Sequence, residues 1–181
     1  IVETTGPHIS RMRVVEGAQG VALTDREVFG PAHLGGYPDG IAFDAFGPFP
    51  TTGDPDDDRF ITRFEAAAGP GLCVAQLDDV LRRKKFEHIE LVAGDILETV
   101  PRYAAEHPEL KIALLHLDVD VYLPSRVVLE TLYERLVPGG LLVLDDYGTV
   151  PGETRAVDEF FRGRDAAFRK LPLAHIPTFV R

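Results

Sequence analysis

Short β-favouring apolar runs alternate along this chain with segments whose apolar residues recur at helical spacing. The clearest runs are Ile41–Phe43, Ile89–Ala93, Ile112–Leu117 and Leu141–Leu144, and an acid follows each within two residues: Asp44, Asp95, Asp118 and Asp145. Between them the spacing predicts five helices. Phe60, Ile61 and Phe64 share one face before Gly69, and Leu77, Val80 and Leu81 lie on the next helix, Val74–Lys85, which ends in a basic turn. The others are Leu97–Glu106, Val127–Leu136 (stopped by Pro138-Gly139-Gly140) and Glu153–Arg162, with Ala156, Val157 and Phe160 inward. Phe168–Leu173 and Ile176–Val180 read as two short strands with no helix between them.

The first forty residues are harder to read. Arg13–Val15 forms a short strand in this reading, followed by Glu16-Gly17-Ala18-Gln19-Gly20 and a helix through Phe29. Such a glycine pair either lets the backbone approach a ligand as a helix opens, or makes an ordinary turn. Pro31–Gly40 reads as loop. About five strands alternating with helices predict an open, mainly parallel α/β sheet. The closing strand pair predicts one antiparallel strand near an edge.

With 181 residues, the chain is long enough for one domain, 1–181, with a sizeable core. A formal net charge of −10 excludes nucleic acid or an anionic membrane as principal partner. No apolar run reaches the length of about 18 needed to span a bilayer. Cys73, the single cysteine, can form neither an internal disulfide nor a cysteine metal cluster, so a cytoplasmic setting is expected. The chain opens on Ile1 and not Met, so its N-terminal part is read as truncated or atypical.

The chemistry lies where the acids gather. A strand–helix–strand crossover from Leu114 to Asp146 places Asp118, Asp120, Asp145 and Asp146 at one sheet edge, where ligands bind in such folds. So many carboxylates repel one another unless a cation binds, and an all-oxygen set favours Mg²⁺. Asp118, Asp145 and Asp146 are the candidate ligands. Asp120 lies two residues beyond Asp118, on the same side of an extended backbone, and is the candidate general base toward a cation-bound hydroxyl. His116 and His175 are rival bases, although His116, inside an apolar strand, reads more readily as a core histidine. Asp44 either holds a ribose, as an acid at a strand end does in dinucleotide-type folds, or starts a turn. The acids at Asp54, Asp56, Asp57 and Asp58 read as a solvated loop or a helix N-terminus, since an EF-hand's glycine and glutamate are absent.

The stretch LLHLDVDVYLPSRVVLETLYERLVPGGLLVLDDYG, with Pro151–Phe160 after it and Val92–Asp95 and Phe43–Phe46 before it, closely resembles the macrocin O-methyltransferase (TylF-like) family. The resemblance runs from about Ile41 to the C-terminus. It implies a Rossmann-like class I methyltransferase fold: a mainly parallel seven-stranded sheet with one antiparallel strand near the edge and helices on both faces. It implies S-adenosylmethionine and Mg²⁺ as cofactors, and methylation of a hydroxyl on a sugar or glycoside in natural product biosynthesis, with a homodimer as the expected assembly. By the same resemblance Asp118, Asp145 and Asp146 hold the metal and Asp120 is the base. Asp44 meets the cofactor ribose, Gly94 and Asp95 lie beside the adenine, and Asp118 also counts among the cofactor contacts. The family's glycine loop, E-x-G-x-x-x-G, is matched only by the shorter Glu16, Gly17 and Gly20, or less well by Val2–Gly6.

Two other readings stay open. Asp-x-Asp also holds a nucleotide-sugar diphosphate through a divalent ion in glycosyltransferases. The compressed glycine loop fits a degenerate, non-catalytic domain that binds S-adenosylmethionine or a nucleotide.

Overall fold

The computed structural model describes residues 8–17, 20–31, 40–69, 71–86, 88–172 and 175–180, with side chains from residue 40 onward. Strands β1 (His8–Gly17) and β2 (Gly20–Pro31) form an antiparallel hairpin. The expected helix through Phe29 is therefore a strand. The Gly17↔Gly20 pair closes the hairpin, and a glycine-flanked reversal favours antiparallel pairing over a helix start. Ala18, Gln19 and most of the expected Pro31–Gly40 loop lie outside the described residues, as does Val2–Gly6.

From there the alternation holds. The elements are β3 (Gly40–Asp44), α1 (Pro55–Ala68), α2 (Val74–Arg83), β4 (Ile89–Ala93), α3 (Ile96–Glu106), β5 (Ile112–Leu117), α4 (Tyr122–Leu132), β6 (Leu136–Leu144), α5 (Pro151–Phe160), β7 (Phe168–Lys170) and β8 (Thr178–Val180). β3 pairs in parallel with β4, and β5 in parallel with β6. β8 runs antiparallel to both β6 and β7, in the order β5-β6-β8-β7. One reversed strand next to an edge matches the expectation.

A single seven-stranded sheet is not what forms. Among the described residues the strands make a two-stranded and a four-stranded sheet beside the hairpin. The N-terminal strand that the count required is satisfied within its own hairpin and joins neither parallel pair.

Burial explains how the two sheets cohere. Leu117, Leu142 and Leu144 from β5 and β6 pack with Leu129 of α4, Val157 of α5 and Val100 of α3, all essentially inaccessible. Ile41, Phe43 and Val92 of the first sheet pack against the same cluster. The Phe43 ring meets Tyr103 of α3 edge-on at 5.3 Å. Helix α3 thus spans both sheets, and their strand ends stay aligned.

Candidate functional site

Asp44 ends β3, Gly94 and Asp95 follow β4, and Asp118 follows β5. The β3–β4 register carries through its end, where the Gly94 N–H donates to the Asp44 carbonyl at 3.0 Å. A cavity of about 430 Å³ opens there, with Asp44, Asp95, Asp118 and Asp120 on its wall and Phe43, Phe49, Phe64 and Leu77 among its apolar lining. An apolar cavity with a few convergent polar groups is the usual form of a small-molecule site. Both readings of Asp44 hold at once: it lines the cavity, and its carboxylate accepts the Phe46 N–H to start a turn. Asp95 likewise accepts the Leu97 N–H at 2.9 Å and caps α3.

The turn after β5 is the most constrained part of the site. Asp120 sits at φ 62°, and the Val121 N–H donates to the Val119 carbonyl at 2.6 Å, closing a γ-turn around it. A non-glycine residue in the left-handed region is strained by roughly 1–3 kcal/mol, so neighbouring contacts must hold it there. Three do. The Glu153 N–H donates to the Asp120 carbonyl at 2.9 Å. The buried Asp57 carboxylate accepts the Tyr122 N–H at 2.8 and 2.9 Å and the Leu123 N–H at 3.3 Å. Gly152 packs so tightly on the turn that a Cβ there would lie 2.7 Å from the Tyr122 nitrogen and 2.9 Å from the Asp120 carbonyl oxygen.

Electrostatics divides the acids. Burial, reinforced by the charges of Asp146 and Asp118, pushes the Asp120 carboxyl up to about 7, and it hydrogen-bonds Asp146. Burial also raises Asp146, opposed by that hydrogen bond. Asp118 is raised by burial and then by the charge of Asp145. Beneath them Glu153, fully buried, is pushed up to about 8 by desolvation, and its Oε1 accepts the Asp146 N–H at 3.1 Å.

The expected cation ligands separate. Among the described residues, ligand atoms of His116, Asp118 and Asp145 lie within 4.8 Å of one another, and Asp146 is not part of that group. His116 is not a core histidine: it is exposed, with Nε2 3.2 Å from Asp145 Oδ1. The donor chemistry of this group suits a divalent cation. The other expected cofactor contacts, Glu16, Gly17 and Gly20, sit at the closed end of the hairpin and not on a loop that opens a helix.

Sequence reasoning missed Asp57, Gly152 and Glu153. A signal existed for Asp57: Val121, at the N-cap of α4, offers no capping side chain, so the cap must come from elsewhere.

Three comparisons bear on this site. The model of the family described as Macrocin-O-methyltransferase (TylF) matches residues 41–178. A crystal structure of CalS11, described as a calicheamicin methyltransferase, is 30% identical with TM-score 0.60, covering 78% of this chain and 59% of CalS11. An apo structure of CalS11, there described as a TDP-rhamnose 3′-O-methyltransferase, is 32% identical over 78% of this chain and 57% of its own, with TM-score 0.58. The O-methyltransferase NovP, 20% identical with TM-score 0.66 over 77% of this chain and 57% of NovP, shares the fold. The chain thus spans less than three-fifths of the length of these solved relatives. No curated protein matches it.

Proposed function

This chain belongs to the macrocin O-methyltransferase (TylF) family, and from that premise we propose that it methylates a hydroxyl of a sugar or similar polyhydroxylated small molecule. The donor is S-adenosylmethionine and Asp120 is the general base. The observation that carries this reading is the placement of Asp120, held in a strained turn on the wall of a cavity that also carries Asp44, Asp95 and Asp118.

Asp44 and Asp95, beside the apolar wall, bind the nucleoside part of the donor. When bound, the donor supplies a sulfonium methyl group that an oxygen lone pair takes as the carbon–sulfur bond breaks. Asp120 accepts the proton that the hydroxyl loses in that step, and it can do so only as the carboxylate. Its raised proton affinity places that condition near neutral pH. Asp118 and Asp145, with Asp146, would hold Mg²⁺, which would supply charge neutralisation and lower the pKa of a hydroxyl bound to it. The negative charge of Asp146 beside Asp120 raises the proton affinity of that base. TDP-rhamnose, named for CalS11, motivates testing nucleotide-linked sugars first as acceptors.

S-adenosylhomocysteine is expected to raise the Tm, and S-adenosylmethionine with a suitable glycoside to yield a product about 14 Da heavier, the mass of one CH₂. A shift with a UDP-sugar and none with S-adenosylhomocysteine overturns the reading. A second reading, a domain that binds the cofactor without turnover, is favoured by the hairpin at Glu16–Gly20. It predicts the Tm shift with no methylated product from any acceptor that binds.

A further inference from the structure

We propose that His116 is a nitrogen ligand to the divalent cation, making this a mixed imidazole–carboxylate site that favours a borderline metal such as Co²⁺ or Ni²⁺ over Mg²⁺. The inference rests on the cation part of the reading above and changes its donor set.

Three observations carry it. First, β5 places His116 and Asp118 two residues apart, and β6 delivers Asp145 through the Asp145 N–H to Leu117 carbonyl bond at 3.0 Å. Strand geometry therefore brings one imidazole and two carboxylates together, with donor atoms within 4.8 Å. Second, among the described residues the ligand atoms that gather here are those of His116, Asp118 and Asp145, and Asp146, the acid that would complete an all-oxygen trio, is not one of them. Third, His116 is exposed, so its ring nitrogen reaches the acids without being locked in the core.

The chemistry follows from the donor set. Two carboxylates and a neutral imidazole balance the charge of one divalent ion, whereas three carboxylates leave an excess negative charge. Imidazole suits cobalt, nickel and zinc, while Mg²⁺ demands oxygen ligands and sheds its water reluctantly. A nitrogen that binds the cation has no lone pair left for a proton, so His116 ceases to be a rival base.

The test is metal binding to the whole chain without cofactor or acceptor. Mn²⁺ serves as spectroscopic probe, by electron spin-echo envelope modulation. The spectrum of the unsubstituted protein is expected to show ¹⁴N modulation from one imidazole, and His116→Gln to lose it. By calorimetry, His116→Gln is expected to weaken Ni²⁺ and Co²⁺ about 10- to 100-fold while changing Mg²⁺ affinity less than about 3-fold. His116→Asn, with its Tm, guards against a fold defect in the first variant. Bound Mn²⁺ without nitrogen modulation overturns the proposal and leaves the methyltransferase reading intact. So does an equal loss for all metals, which means that His116 only orients Asp145. If no divalent ion binds while S-adenosylhomocysteine still raises the Tm, the proposal and the cation part of the reading fall together and the cofactor part stands.

Discussion

Asp120 combines three properties rarely found on one residue: a positive φ, a proton affinity raised to about 7, and a backbone carbonyl held by the Glu153 N–H. If it takes the acceptor's proton, Asp120→Asn keeps the turn, because asparagine tolerates the left-handed region, but cannot accept the proton. The expected result is a fall in kcat of about 10²- to 10⁴-fold with the S-adenosylhomocysteine-induced Tm shift unchanged. A variant as active as the parent removes Asp120 as base. Gly152 is tested differently. A Cβ there meets only backbone atoms, at 2.7 to 2.9 Å, and backbone cannot swing aside. Gly152→Ala should cost about 1–3 kcal/mol in urea unfolding and lower kcat by displacing α5 from the Asp120 turn. Parental stability in this variant contradicts the close approach. At this scale the sequence marked the acids well, since an acid at a strand end is a local pattern. It could not mark Gly152, whose constraint comes from a turn some thirty residues earlier.

Helix α4 shows what spacing reads and what it leaves out. The apolar periodicity locates a helix from Val127, yet the helix starts at Tyr122, with Pro124 in its first turn, where a missing N–H costs nothing. Its N-terminal N–H groups are capped from α1 by Asp57, sixty-five residues away. Among Asp54, Asp56, Asp57 and Asp58 the sequence saw a solvated loop or a helix start. The structure gives Asp54 to capping α1 and to an ion pair with Arg155 at 2.6 Å, which lowers its pKa, and buries Asp57 against α4. Tertiary capping leaves no mark in local composition. Asp57→Ala should therefore destabilise the protein by about 1–3 kcal/mol, as buried N–H groups lose their acceptor, while Asp57→Asn keeps one acceptor and loses less. Equal urea midpoints for the two variants argue against the cap. Likewise β6 begins at Leu136 and runs through Pro138-Gly139-Gly140, which reads as a stop. The irregular pairing opposite Ile112 and Leu114 absorbs it, and register is a property of two strands, not one.

Across the whole molecule, the alternation of strands and helices after residue 40 was legible because each buried strand carries its own apolar run. Sheet membership was not, since an amphipathic N-terminal strand pairs as well in a hairpin as in a parallel sheet. The global consequence of the site lies in its charge. Asp118, Asp120, Asp146 and Glu153 all have raised proton affinities, each chiefly through burial. A raised folded-state pKa means that the native chain keeps protons which the unfolded chain has released. Stability from these groups is fully present below the unfolded values, about 4, and is lost as pH rises through the folded ones, about 7 for Asp120 and about 8 for Glu153. In EDTA, Tm is thus expected to fall between pH 5 and pH 8. Glu153→Gln, which keeps the side-chain shape and an acceptor for the Asp146 N–H, should flatten the upper part of that fall. A divalent cation replaces the lost protons as counter-charge, so adding one at pH 8 should recover more Tm than adding it at pH 5, where protons already neutralise the cluster. The measurement is a matrix of melting curves over pH with and without metal. A Tm that is flat or rising from pH 5 to 8 in EDTA, or a metal effect that shrinks as pH rises, contradicts an acid cluster whose protons a cation can replace.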